Sequence, residues 1–290
     1  MTPAAARATG PGGAEPTAGV ADLHTHTTAS DGLLPPAELV AEAKSAGLSA
    51  IGVTDHDTVD GIADAVAAGG SDLQVVPGIE LSAALDGREP HILGYFVDPE
   101  SDALLSALAD FRLQREQRMH AFAARLTEIG LPVAFDEIAA LSGDGAMGRP
   151  HLAAAMIRRG YVADVPDAFA RYLSPGTPGF VPKREVTPET CIGLIREAGG
   201  VAVLAHPFST GDPEGFAVRL KSMGMGGLEV EYGSYDEEQR ATLRAIAARH
   251  GLLATGGSDY HGPMYRHDRG LGGGSVPMST IADLARLAGR

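Results

Sequence analysis

Short apolar runs alternate with stretches of helical periodicity along most of this 290-residue chain. Runs at 20–23, 50–53 and 73–77 read as strands. The segments 35–46 and 59–68 between them read as helices, the first opened by prolines and closed at Gly47. This alternation predicts βαβ units and a parallel sheet. Two further runs, 81–85 and 92–97, flank Asp86-Gly87, a dipeptide that favours a tight hairpin turn. A hairpin centred there sets His91 opposite Ser82 and on the face of Glu80, because strand side chains alternate. Residues 101–130 carry apolar positions at helical spacing, and shorter helices are predicted at 136–141 and 150–159. Strands return at 201–205, 228–230 and 252–255, with helices near 188–198 and 235–250 between them and 281–287 at the end.

The pattern predicts a barrel-like α/β domain built from 20–98 and 186–290, with a largely helical insertion at 99–185. In such barrels chemistry collects at the C-terminal ends of the strands. Residues 1–19, mostly Ala, Pro, Gly and Thr, lack the apolar core of a secretory signal and read as a disordered tail. No apolar run approaches the ~20 residues that span a bilayer, so no membrane partner is expected. The single cysteine, Cys191, excludes an internal disulfide and suits a reducing, cytoplasmic location.

A formal net charge of −14 argues against sequence-indifferent binding along a nucleic-acid duplex. The charge is uneven. Residues 99–185 hold ten basic against eleven acidic residues, whereas the rest holds thirteen against twenty-six. The insertion is therefore the segment expected to contact an anionic substrate. No protein partner is implied.

Nine potential metal ligands fall in six short segments, five of which directly follow a strand-like run: His24, His26 with Asp31, His56, Glu80, His91, His206, and Asp259 with His261. Six of the ten histidines belong to this set. His24 and His26, like Asp259 and His261, stand two apart, which in extended backbone points both side chains to one side. Nine ligands exceed what one tetrahedral ion takes, so two or three divalent ions are expected. Imidazole with carboxylate suits Zn, Mn or Fe, with Mg a further candidate. Glu80 is the candidate bridging carboxylate and hence a catalytic residue. A cluster of this kind lowers the pKa of bound water and clamps the attacking and leaving oxygens of a phosphoryl transfer.

Taken together, His24-Thr-His26 with Asp31-Gly32, Thr54-Asp-His56-Asp57, Pro77-Gly-Ile-Glu80, His91-Ile-Leu-Gly-Tyr-Phe96, Ala205-His206-Pro207 and Gly257-Ser-Asp259-Tyr-His261 resemble the PHP (polymerase and histidinol phosphatase) family. The resemblance implies a distorted TIM-like (β/α)7 barrel that hydrolyses phosphoesters at a trinuclear metal centre. It implies one ion held by His24, His26, Glu80 and Asp259, a second by Glu80, His91 and His206, and a third by Asp31, His56 and His261. The insertion, with Gly148-Arg149-Pro150-His151, resembles the branch that removes the 3′-phosphate of nucleoside 3′,5′-bisphosphates and trims short RNA from its 5′ end. In that branch the substrate is a small phosphorylated nucleotide or a short oligonucleotide.

Arg149 is then expected to bind phosphate through its planar fork, and His151 to orient substrate or donate a proton to the leaving oxygen. Lys183 and Arg184 would add positive field at the barrel mouth. Asp22, Asp55 and Asp57, beside ligands, are candidates to orient imidazoles, with Asp57 equally a candidate cap of the next helix. The alternatives are a histidinol-phosphate phosphatase, a C–N hydrolase, or a non-catalytic metal-binding module. The first lacks a reason for the insertion. The second commonly uses a bridging lysine, absent from these motifs. The third usually lacks several ligands.

Overall fold

The structure, a computed structural model, describes residues 19–142, 147–182, 185–263 and 270–290. Most of the predicted tail, together with Lys183 and Arg184, lies outside the described residues. Strand β1 (Val20–Thr25), helix α1 (Pro36–Ser45), strand β2 (Ala50–Val53), helix α2 (Ile62–Gly69) and strand β3 (Gln74–Ser82) follow in the order the hydrophobic pattern predicts. The runs at 73–77 and 81–85 are not two strands. Residues 74–77 of the first run and Leu81–Ser82 of the second belong to the single β3, which ends at Ser82. Its first half pairs parallel with β2 and its second half antiparallel with strand β4 (His91–Tyr95).

The β3–β4 turn carries φ +53° at Asp86 and +71° at Gly87. Two successive positive φ values define the hairpin turn that Asp-Gly favours. Ser82 pairs with His91, as the sequence predicts.

Helices α3 (Asp102–Glu128), α4 (Phe135–Ser142), α5 (Arg149–Arg158) and α6 (Val165–Ala168) form the helical segment, and a π-turn (Phe169–Leu173) follows them. The second half of α3 packs Met119, Phe122 and Leu126 against Leu152 and Met156 of α5, in a core separate from the barrel's. Its first half buries Leu104 and Leu108 in the core around the barrel, so one helix carries the insertion across the barrel mouth.

Helix α7 (Pro188–Glu197), strand β5 (Val201–Leu204), helix α8 (Pro213–Ser222), strand β6 (Gly227–Tyr232), helix α9 (Glu237–His250), strand β7 (Leu253–Gly257), strand β8 (Val276–Pro277) and helix α10 (Ser279–Leu287) complete the chain. The sequence reading missed α8, although Asp212 caps it by accepting from the Gly215 N–H at 3.0 Å.

The strands run in the order β7-β6-β5-β4-β3-β2-β1-β8, and bonds from the end of β7 to β1 nearly close them into a barrel. At this seam Asp259 N donates to His24 O at 2.8 Å and His26 N to Tyr260 O at 2.9 Å. The fold is the distorted TIM-like barrel with a helical insertion that the sequence implies. Strand β4 alone among the barrel strands β1–β7 runs antiparallel to its neighbours. Its first residue, His91, therefore lies at the same end as the C-termini of the parallel strands. Leu23, Ala50, Val76, Leu93, Tyr95 and Val203 pack together with Ile281 and Leu284 of α10, placing a dry core next to the polar end.

Candidate metal centre

All nine predicted ligands meet at that end of the barrel. Glu80, 1% exposed, lies at the centre with five imidazoles around it. Its Oε2 stands 3.3 Å from His24 Nε2, 3.3 Å from His26 Nε2 and 3.1 Å from His56 Nδ1. Its Oε1 stands 2.9 Å from His91 Nδ1 and 3.2 Å from His206 Nε2. Asp259 Oδ1 lies 3.4 Å from His24 Nε2 and 3.2 Å from His26 Nε2. Asp31 and His261 approach within 3.3 Å on the outer side.

Three donor sets each gather within 4.8 Å: His24, His26, Glu80, Asp259; His56, Glu80, His91; and His26, Asp31, His56, His261. The first coincides with the expected set. The second places His56 with Glu80 and His91, and His206 reaches the same carboxylate oxygen as His91. The third gains His26.

The backbone is strained to achieve this convergence. Asp57, His206 and Asp259 have φ of +53°, +28° and +56°, a region that side-chain-bearing residues rarely adopt. Each sits where the chain leaves a strand beside the cluster, the kind of place where strain is retained for function.

The donor geometry fits divalent cations. Both ring nitrogens of His26, Nδ1 of His56 and Oδ1 of Asp31 are buried without a hydrogen-bond partner among the described residues. His26 Nε2 lies 3.2–3.3 Å from Asp259 and Glu80 oxygens, and His56 Nδ1 3.1 Å from a Glu80 oxygen, without hydrogen-bond geometry. His26 Nδ1 stands 3.8 Å from Asp31 Oδ1. Atoms ~2.1 Å from one tetrahedral cation stand roughly 3.4 Å apart, close to the spacings around Glu80 and Asp259.

The electrostatics agree. Burial opposes ionisation of Glu80, but His56, His24 and His91 hold its carboxyl well below the usual range. Asp259, also penalised by burial, is held low by His24, His26 and His261. His26 resists its burial and is driven up to about 10 by Asp259 and Glu80. Burial prevails at His56 and pushes it down to about 4.

A sign follows for ion binding. Without an ion His26 keeps its proton through neutral pH, and a cation must displace it, so apparent affinity rises with pH. Calorimetric titration at pH 7 in buffers of different ionisation enthalpy is expected to show net proton release. An affinity flat between pH 6 and 8 would contradict this.

The predicted imidazole-orienting role of the three aspartates is not what their contacts show. Asp22 accepts from Ser258 N, Ser258 Oγ and Gly272 N at 2.9, 2.6 and 2.7 Å, pinning the β1–β7 seam. Asp55 accepts from Thr27 N, Thr27 Oγ1 and Ser30 Oγ, shaping the loop that carries Asp31. Asp57 pairs with Arg115 of α3, tying the insertion to the turn that bears His56.

Arg149 and His151 open α5 and line a cleft that also reaches Asp31, His56 and His91. Arg149 lies 3.3 Å from the exposed Glu89 and stacks on Phe169. Arg115 and Arg118 line the same cleft. The sequence reading missed both, because on α3 they look like an ordinary solvated face. It also missed Tyr232, whose hydroxyl donates to Asp259 Oδ2 at 2.7 Å. Glu229, buried inside an apolar strand, was missed as well. A glutamate between Leu228 and Val230 was the available signal, although Glu231 in the same strand blurs it.

A barrel end with this donor set defines a metal-dependent hydrolase, and the comparisons narrow it to one acting on phosphate esters. They also give the family. The PHP domain model matches residues 22–162. The 5′-3′ exoribonuclease Rnm of Escherichia coli is 35% identical over 249 residues, covering 83% of this chain and 85% of that protein. The 3′,5′-nucleoside bisphosphate phosphatase of Chromobacterium violaceum is 34% identical over 83% of this chain and 87% of its own length. A crystal structure from Bifidobacterium adolescentis, assigned as a metal-dependent phosphoesterase, superposes with a TM-score of 0.83 at 32% identity. It covers 94% of this chain and 98% of that one. The chain belongs to the PHP family.

Proposed function

We propose that this enzyme removes the 3′-phosphate of nucleoside 3′,5′-bisphosphates and, at the same site, trims 5′-phosphorylated short RNA from its 5′ end. One observation carries this. In the cleft, Asp31, His56 and His91 of the cluster face three guanidinium-bearing residues, Arg115, Arg118 and Arg149. A substrate with two anionic groups matches that division, one group over the cluster and one at the arginines. Burial, and then the neighbouring Arg149, push Arg118 down to about 10, a crowding of like charge that a bound phosphate relieves. The names of the Escherichia coli and Chromobacterium violaceum relatives describe these two activities. On this reading residues 99–185 are the substrate-recognition unit.

Two or three divalent ions (Zn, Mn or Fe, with Mg a further candidate) would be held by His24, His26, Glu80 and Asp259, by Glu80, His91 and His206, and by Asp31, His56 and His261. Bound ions of this kind activate water and neutralise charge on the phosphate. The chain's own residues recognise and orient. Burial lowers the His151 imidazole below its ordinary value, so it is neutral at pH 7. Gly148 N–H donates to its Nδ1 at 3.1 Å, which makes Nε2 an N–H donor toward substrate. In this role His151 gives a hydrogen bond rather than the proton of an imidazolium.

Among the described residues no helix is long and apolar enough to cross a membrane. We place the enzyme in the cytoplasm, where the buried thiol of Cys191 suits a reducing medium.

The test is turnover by the ion-loaded protein of a nucleoside 3′,5′-bisphosphate, a 5′-phosphorylated RNA length series and histidinol phosphate. The first two are expected to be hydrolysed. The third carries an ammonium group that the three arginines repel, and its preferential hydrolysis would overturn the proposal. Arg149→Ala is expected to raise KM for the bisphosphate about tenfold or more, from the loss of one charge-assisted contact, with kcat moved less. An unchanged KM would remove Arg149 from the recognition site.

A further inference from the structure

We propose that Glu229 is a positioning residue that holds histidines of two neighbouring ion sites with one carboxylate. This rests on the cluster being a metal centre. Glu229 is fully buried within β6. Its Oε1 lies 2.8 Å from His24 Nδ1, and its Oε2 accepts the His206 backbone N–H at 2.6 Å.

The two contacts do different work. His24 turns Nε2 toward Glu80 and Asp259, and Nε2 offers its lone pair only if the proton sits on Nδ1. A carboxylate at Nδ1 selects that tautomer and fixes the ring plane. His206 turns off β5 at φ +28° and ψ 64°, an unfavourable backbone conformation. The bond to Glu229 holds that turn, which aims His206 Nε2 at Glu80 Oε1.

The four residues form a closed ring, three of its links through side chains and one through a backbone N–H. His24 faces Glu80 Oε2, His206 faces Glu80 Oε1, and Glu229 joins the His24 ring to the His206 backbone from behind. The two imidazoles lie stacked, with centroids 6.0 Å apart.

Position 229 needs a carboxylate because both of its partners donate. A glutamine offers one acceptor oxygen and one NH2, so it satisfies one partner and sets N–H against N–H at the other. Glu229→Gln is nearly isosteric and isolates this requirement.

The experiment measures Zn2+ affinity and stoichiometry by chelator competition for the full-length wild type, Glu229→Gln and Glu229→Asp, with thermal melting of each in EDTA. Glu229→Gln is expected to weaken at least two ions by ten- to a hundredfold, with kcat falling and KM for the bisphosphate little changed. Glu229→Asp, which keeps two acceptor oxygens at shorter reach, is expected to fall between it and wild type. A second measurement needs no variant. Long-range 15N–1H correlation on the Zn2+-loaded wild type is expected to show His24 as the Nδ1–H tautomer.

Wild-type ion affinity in Glu229→Gln, or an Nε2–H tautomer at His24, overturns the proposal. A variant that loses only melting temperature in EDTA while binding ions normally also overturns it, since that is a purely structural role. A wild type that binds no divalent ion overturns the metal-centre reading, and this proposal with it.

Discussion

Glu80→Ala is expected to lower phosphoester turnover by on the order of a thousandfold or more and to strip ions from the protein. Substitution of groups that merely orient ligands typically costs ten- to a hundredfold, and Glu80 sits directly among the donors. Its two oxygens lie within 3.3 Å of five imidazole nitrogens, from His24, His26, His56, His91 and His206. Removing the carboxylate leaves the five facing imidazoles with no anion common to all of them, so protonation of one repels the next and cations lose the charge that joins the sites. Asp259 still faces only His24 and His26 of the five. Glu80→Gln keeps the shape and loses the charge, and is expected to fail nearly as badly. Ion content measured beside kcat separates loss of the centre from loss of chemistry. Turnover within tenfold of wild type in Glu80→Ala would sink the mechanism.

Gly257→Ala is expected to give a large stability loss, about 3 kcal/mol or more, or a chain that fails to fold. A Cβ at this position would stand 2.3 Å from His24 Cβ and 2.4 Å from His24 N. Neither can retreat. The His24 backbone is held across the seam by Asp259 N, and its ring by Glu229 and Glu80. The strands β1 and β7 would have to part at the point where the barrel closes, and His24 would leave the site with them. Gly193→Ala is the internal control. Gly193 lies inside α7, and an added methyl would meet no atom within 4 Å, so alanine is expected to stabilise by ~0.5–1 kcal/mol through helix propensity. Urea unfolding of the two variants checks both signs, and a Gly257→Ala protein as stable as wild type would show that the seam is looser than described.

How far the site could be read from the sequence depended on distance along the chain. The ligands were legible because all of their segments but that of His91 follow an apolar run, and strand ends in a barrel converge. His91 required one more step, and the Asp86-Gly87 turn supplied it, since a tight hairpin fixes the register that pairs Ser82 with His91. The continuity of β3 was hidden at Pro77-Gly78, where the strand exchanges its parallel partner for an antiparallel one.

What pattern reasoning lost was long-range packing. Arg115 and Arg118 become cleft residues only because α3 crosses the barrel mouth. Asp22, Asp55 and Asp57 look like imidazole partners by adjacency, yet strand alternation and left-handed turns send their carboxylates to backbone donors, hydroxyls and Arg115. Glu229 lies more than two hundred residues from His24 in sequence, and no local pattern pairs them.

Anomalous diffraction from crystals of the Mn2+-loaded protein tests the central claim most directly. At least two peaks are expected within coordination distance of Glu80, one shared with His24, His26 and Asp259 and one with His91 and His206. Crystals showing no ion at Glu80, with full phosphoesterase activity retained by the same preparation, would contradict it.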